Sequence, residues 1–192
     1  LKTHIDILED FDESVIIELK KLSKKYNFLI MEDRKFGDIG KTFEKQLFSG
    51  IYKIGSWADI ITIHGISADG MLSFLNKKED SPKVLIVSQM SSQNNLITEE
   101  YTKECYNIAK KYPKLVLGFI SQKKFVDDDN FLFLTPGVKN TTKKESDQNY
   151  RTPYEAIVRD ENDIIIVGSG IYQTISSHFQ EIISQYKITS KK

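Results

Sequence analysis

Phe28-Leu29-Ile30-Met31-Glu32-Asp33-Arg34-Lys35-Phe36-Gly37-Asp38-Ile39-Gly40-Lys41-Thr42 is the stretch on which the reading of this chain turns. Its apolar opening, within Asn27–Glu32, predicts a buried strand. Residues two apart on a strand share a face, so Asp33 and Lys35 are expected side by side at the C-terminal end. Asp38 follows three residues later, ahead of an amphipathic stretch with Phe43 and Leu47 that predicts a helix. Two carboxylates crowded around one ammonium are costly to assemble unless the charges are used. Parallel-strand barrels keep their chemistry at this end of a strand. Taken alone, the Asp-x-Lys-x-x-Asp string also fits a solvated salt-bridge cluster, which contributes little to stability.

Outward from this stretch, short β-branched runs alternate with amphipathic segments. Strands are expected at Asn27–Glu32, Ile60–His64, Val84–Ser88, Leu115–Phe119, Phe131–Leu134 and Asp163–Val167, with a strand end at Leu1–His4. Helices are expected at Phe11–Lys25, with Asp10 and Glu13 as a capping box, at Thr98–Tyr112 and at Ile171–Tyr186. Lys139–Asn149 is polar without apolar period and reads as a long mobile loop. Alternating strands and helices with buried parallel strands predict an α/β fold.

A chain of 192 residues suits one domain with a substantial core. Its 27 basic and 27 acidic residues balance, which gives no general bias toward nucleic acid or an anionic membrane. One cysteine, Cys105, excludes an internal disulfide and fits a reducing, cytoplasmic setting. Its spacing with Tyr101, Ile108 and Tyr112 is helical, so a buried structural thiol is expected. No apolar run reaches the length of a membrane span. His64 reads as a packed histidine, His178 as solvated and Trp57 as a core residue. The sequon Asn140-Thr141-Thr142 carries little meaning in a cytosolic protein.

Several segments in order give the chain a family likeness: Glu32–Gly40, Leu1-Lys2-Thr3-His4, Trp57-Ala58-Asp59, Met90-Ser91-Ser92, Leu134-Thr135-Pro136-Gly137-Val138 and Ile164-Ile165-Ile166-Val167-Gly168. Together they resemble eukaryotic orotidine 5′-monophosphate decarboxylase, from residue 1 to about residue 175. The resemblance implies a TIM (β/α)₈ barrel of which this chain lacks the first strand and most of the second. It further implies a single decarboxylase domain over residues 1–192, incomplete at its N-terminus, with an unpaired sheet edge.

The site roles below are those the resemblance implies. Lys35 stabilises the carbanion at C6 of the pyrimidine and protonates it. Asp33 sits beside the departing carboxylate; Lys2 pairs with it and contacts the ribose, and Thr3 and His4 join it among the substrate-binding residues. Asp38 completes the charge network from the partner subunit of a homodimer, and Ile39 and Thr42 also reach across. Ser91 reads the pyrimidine amide edge, and Pro136 and Gly137 form the lip of a loop over the base. Gln148 and Tyr150 close on the phosphate, which Gly168 and Ser169 approach at a helix N-terminus. No metal or other cofactor is expected; the partners are orotidine 5′-phosphate and a second copy of the chain. Ser169 stands where the family pattern has arginine, Gln89 where it has glutamate, and Lys41 where asparagine is common. Two other functions compete: a Mg²⁺-dependent sugar-phosphate decarboxylase or aldolase sharing Asp-x-Lys-x-x-Asp, and a non-catalytic nucleotide-binding remnant.

Overall fold

The computed structural model describes residues 1–140, 150–173 and 178–187, which form two compact units. The first comprises Leu1–Ser88 and Glu99–Leu117; the second comprises Gln89–Thr98 and the described residues from Gly118 onward.

In the first unit, β1 (Lys2–Thr3), β2 (Met31–Phe36), β3 (Ile60–His64) and β4 (Lys83–Val87) pair in parallel and in chain order. Helices α1 (Glu13–Tyr26), α2 (Gly40–Phe48) and α3 (Ala68–Leu75) each follow a strand, and α4 (Glu99–Ala109) follows β4. Ile60, Ile61, Thr62 and Ile63 are all buried, as in a parallel strand covered on both faces. Phe36, Phe43, Leu47, Met71, Leu72 and Leu75 lock the helices onto the strands. Phe36 meets Phe43 edge-on, with centroids 5.4 Å apart. Trp57 is buried as expected, its indole N–H donating to the Tyr52 carbonyl at 2.8 Å.

Two local expectations need correction. The α1 N-cap is Asp12, whose carboxylate accepts the Ser14 N–H at 2.8 Å; Asp10 lies before the helix. The second strand begins at Met31 rather than Asn27, because Asn27 closes α1 in a left-handed conformation with φ 53°. Phe28 N–H then returns to the Ser23 carbonyl at 3.1 Å instead of entering a ladder. The strand therefore runs on through Asp33 and Lys35 to Phe36.

The second unit contains most of β5 (Val116–Ile120), all of β6 (Leu132–Thr135) and β7 (Ile164–Ile165), again parallel. Gly118 is obligatory here: a Cβ would run into the Leu132 carbonyl of the adjacent strand. Phe119, Phe125, Phe131 and Phe133 pack together above these strands. A π turn at Glu155–Arg159 precedes β7 and was not anticipated from sequence, nor was α3. The single C-terminal helix expected over Ile171–Tyr186 is described as α5 (Ser169–Tyr172) and α6 (Phe179–Tyr186), with 174–177 outside the described residues. Most of the Lys139–Asn149 loop also lies outside them.

Cys105 is buried in α4, and burial pushes its thiol up to about 11. Gly65 lies against its sulfur, where a Cβ would collide. No helix among the described residues is long and apolar enough to cross a membrane.

Candidate active site

The functional residues fall into a group on each unit. On the first, β2 and β3 lose register: Glu32 pairs with Ile61, but Phe36 pairs with Ile63. Four steps along β2 thus span two along β3, and the surplus is absorbed by a bulge in which Lys35 adopts a left-handed φ of 51°. The gap in the ladder is filled by one side chain. Thr62 Oγ1 accepts the Lys35 N–H at 3.0 Å and donates to Asp33 Oδ1 at 2.9 Å.

The other Asp33 oxygen is the hub of the charge cluster. Oδ2 lies 2.8 Å from Lys35 Nζ and 3.4 Å from Lys2 Nζ. The Asp33 side chain is only 12% exposed, against 30% for Lys35. Burial alone would raise the Asp33 carboxyl, but Lys35, then Lys2 and the Thr62 hydroxyl, outweigh it and hold it below the ordinary value of 3.8. His4 Nε2 accepts from Lys2 Nζ at 2.7 Å. Burial and then the Lys2 ammonium lower its pKa, so the ring is neutral and its 3.5 Å approach to Asp33 is not an ion pair. His64, at the end of β3, is also lowered, by burial and then by Lys35.

Beneath this cluster Glu32 is fully buried. It accepts the Thr3 hydroxyl at 2.6 Å and the Ile5 N–H at 3.1 Å, which fixes β1 against β2. Burial raises its pKa despite the Thr3 bond. His4, Asp6 and Glu32 bring ligand-type atoms within 4.8 Å of one another.

Asp38, Ile39 and Thr42 are not drawn into the cluster. All are exposed; Asp38 accepts its neighbour's N–H at 2.8 Å and forms no ion pair among the described residues. Ile39 is an apolar side chain left 63% exposed.

On the second unit, Ser91 is buried and Gly137 has a left-handed φ of 74°. Lys139 Nζ stands 4.2 Å over the Tyr150 ring. Gln89 Oε1 accepts the Gln122 N–H at 2.8 Å and the Lys123 N–H at 3.2 Å, which holds the turn after β5. Gly168 precedes α5 and its carbonyl accepts from Ile171 N–H at 2.9 Å; Ser169 is the first helical residue. Gly170 faces the Tyr186 hydroxyl so closely that a Cβ would collide. Gln148 lies outside the described residues.

Three residues escaped the sequence reading. Thr62 left one signal, a lone hydroxyl within the apolar run Ile60-Ile61-Thr62-Ile63. Glu32 belonged to the quoted motif, yet its buried bracing of β1 has no local signature. Arg151, whose guanidinium reaches Asp160 at 2.7 Å and the end of β6, could have been flagged only as a charge beside Tyr150.

Comparison with known proteins identifies the family and the fold. Residues 1–177 match the family described as orotidine 5′-phosphate decarboxylase / HUMPS. The orotidine 5′-phosphate decarboxylase of Mucor circinelloides f. lusitanicus is 44% identical over 177 residues, covering 90% of this chain and 67% of its own length. That of Rhizomucor pusillus is 43% identical over 178 residues, with the same coverages. The crystal structure of Methanocaldococcus jannaschii orotidine 5′-monophosphate decarboxylase complexed with the inhibitor BMP superposes with a TM-score of 0.60. It is 22% identical, with 90% of this chain and 80% of that chain covered, a likeness of fold. The parallel strands and intervening helices are accordingly those of a (β/α)₈-type protein. By its sequence match and its fold, the chain belongs to the orotidine 5′-phosphate decarboxylase / HUMPS family.

Proposed function

We propose that this protein decarboxylates orotidine 5′-phosphate to UMP, the closing step of UMP synthesis, with Lys35 as the catalytic residue. We assign residues 1–192 to one decarboxylase domain acting in the cytosol. The C6–carboxylate bond breaks heterolytically, CO₂ departs, and the electron pair stays on C6. Lys35 Nζ stabilises that carbanion and gives it a proton, forming the C6–H bond; the amine regains its proton from solvent. Asp33 stands beside the departing carboxylate and holds the ammonium in place. The observation that carries this reading is the contact of Lys35 Nζ with Asp33 Oδ2 at 2.8 Å, backed by Lys2 at 3.4 Å. Charges fixed in advance need no reorganisation as the carbanion forms, usually the largest single contribution to such a reaction. A lysine is a compact cation with transferable protons, which suits both duties.

Ser91, Pro136 and Gly137 are assigned to the pyrimidine, and Gln148, Tyr150, Gly168 and Ser169 to the phosphate. Asp38, Ile39 and Thr42 are assigned to the site of a second copy in a homodimer. An exposed carboxylate without an ion pair among the described residues, beside a largely exposed isoleucine, supports that pairing. The direct test follows loss of the orotidylate absorbance with the wild-type protein and with Lys35→Ala. Turnover in the first and none in the second supports the assignment; turnover in neither refutes it.

A second reading, Mg²⁺-assisted chemistry on a sugar phosphate, is favoured by the proximity of His4, Asp6 and Glu32. Against it, Glu32 already accepts from Thr3 and Ile5, and His4 Nε2 accepts from the Lys2 ammonium. Orotidylate turnover that survives a chelator decides for the metal-free reading.

A further inference from the structure

We infer that Arg151 is a positioning residue that fixes Tyr150 against the Pro136–Lys139 lip and so sets how strongly the protein discriminates for a substrate phosphate. The inference rests on the assignment of Tyr150 to the phosphate end under the proposed function.

Arg151 grips the lip twice. Its guanidinium donates through Nη1 to Asp160 Oδ2 at 2.7 Å and to the Gln122 carbonyl, and through Nη2 to the Thr135 hydroxyl and, at 3.4 Å, the Pro136 carbonyl. Its peptide group does the rest. Arg151 N–H donates to the Gly137 carbonyl at 2.9 Å, and Lys139 N–H donates to the Arg151 carbonyl at 3.0 Å, forming a parallel bridge opposite Val138. Tyr150 immediately precedes Arg151 in the chain, and its ring lies under Lys139 Nζ. Its backbone is thereby held in register with Gly137 and Lys139 by the bonds of the adjoining Arg151 peptide.

A plain structural ion pair would need only Asp160. The remaining guanidinium contacts end just beyond β5 and at the C-terminal end of β6, where parallel α/β folds place their chemistry. The arrangement also leaves a buried donor unsatisfied: among the described residues the Arg151 Nε–H finds no acceptor. Such a group costs stability, which fits a fork aimed for position. Lysine cannot reproduce the planar fork. Loss of Arg151 does not strand Asp160, which Arg159 also holds at 2.8 and 3.0 Å.

The test compares wild type, Arg151→Ala, Arg151→Lys and Asp160→Asn. Affinities for UMP and uridine are measured by calorimetry, alongside kcat/KM for orotidine 5′-phosphate and orotidine. Wild type should prefer UMP strongly over uridine. Arg151→Ala and Arg151→Lys should lose roughly 10- to 100-fold for the phosphorylated compounds, the size of effect a misplacement of about 1 Å produces. Their values for uridine and orotidine should stay within about threefold. Asp160→Asn, which keeps the Thr135 and Pro136 contacts, should retain most of the UMP preference. Equal losses with and without phosphate would reduce Arg151 to a folding role and overturn the inference, as would an unchanged UMP preference in Arg151→Ala. If wild type itself fails to prefer UMP or turn over orotidylate, the proposed function falls and takes the inference with it. A wild type that passes while the variants keep its selectivity defeats the inference alone.

Discussion

Replacing Lys35 by alanine and by glycine in parallel separates its chemistry from its backbone. Both variants remove the same ammonium and the same 2.8 Å contact with Asp33, so that loss cancels between them. What differs is tolerance of a φ of 51°. A left-handed residue with a Cβ carries about 1–2 kcal/mol of strain, while glycine loses an extra 0.5–1 kcal/mol or so of chain entropy on folding. Lys35→Gly should therefore be more stable than Lys35→Ala by about 0.5–1 kcal/mol, the reverse of the usual order within a strand. For a chain of this size that corresponds to about 1–4 °C in Tm. Both variants should lose turnover by about 10⁴–10⁷, if general acid catalysis and carbanion stabilisation contribute independently. Thermal unfolding and single-turnover assays on the same samples read both effects. A glycine variant less stable than the alanine variant would refute the bulge geometry. A kcat within tenfold of wild type in either would refute the role of the ammonium.

Three further outcomes follow from the same cluster. Thr62→Val keeps the shape but removes the hydroxyl that joins Lys35 N–H to Asp33; it should cost about 1–3 kcal/mol in urea unfolding and lower kcat more than it raises KM, and unchanged kcat would dismiss Thr62 as a support. Asp33 is held below 3.8 in the folded protein, so its contribution to stability is present above that value and declines as pH falls through the lower folded one. The Tm advantage of wild type over Asp33→Asn should shrink on acidification below 3.8, and a constant advantage there would contradict the ion-pair assignment. Finally, inactive Lys35→Ala and Asp38→Ala chains, mixed under exchanging conditions, should regain activity through a hybrid site with both residues intact; mixtures as inactive as their parents would exclude a shared site.

The strands and the charge cluster were legible because each rests on a short-range pattern: apolar runs of strand length, and two charged residues spaced by the strand repeat. The Lys35 and Asp33 side chains do meet, but not by simple alternation, since the bulge puts Lys35 in a left-handed conformation that no local pattern foretold. The start of β2 was misplaced for a similar reason. Asn27 suits a helix end as readily as a strand start, and only the Ser23 carbonyl receiving Phe28 N–H decides between them. The Arg151 network joins residues that lie far apart along the chain, so its partners are set by the packing of strand ends rather than by neighbours. The spacing also placed Asp38 beside Lys35, but the chain turns away after Phe36, so Asp38 and Ile39 meet solvent and Lys2 is the second charge at Asp33.

Cys105 gives the molecule a practical property. It is the sole cysteine, buried beside Gly65, with a pKa of about 11. Near pH 8 only about one thiol in a thousand is ionised, and the thiolate is the nucleophile that alkylating reagents and disulfide probes require. A second cysteine introduced at an exposed position such as Lys41 on α2 would react selectively with a maleimide fluorophore or a nitroxide. The natural chain is thus a near-silent background for site-directed labelling. A dipolar distance between two copies labelled at 41 would report directly on whether, and how, α2 of one chain faces another.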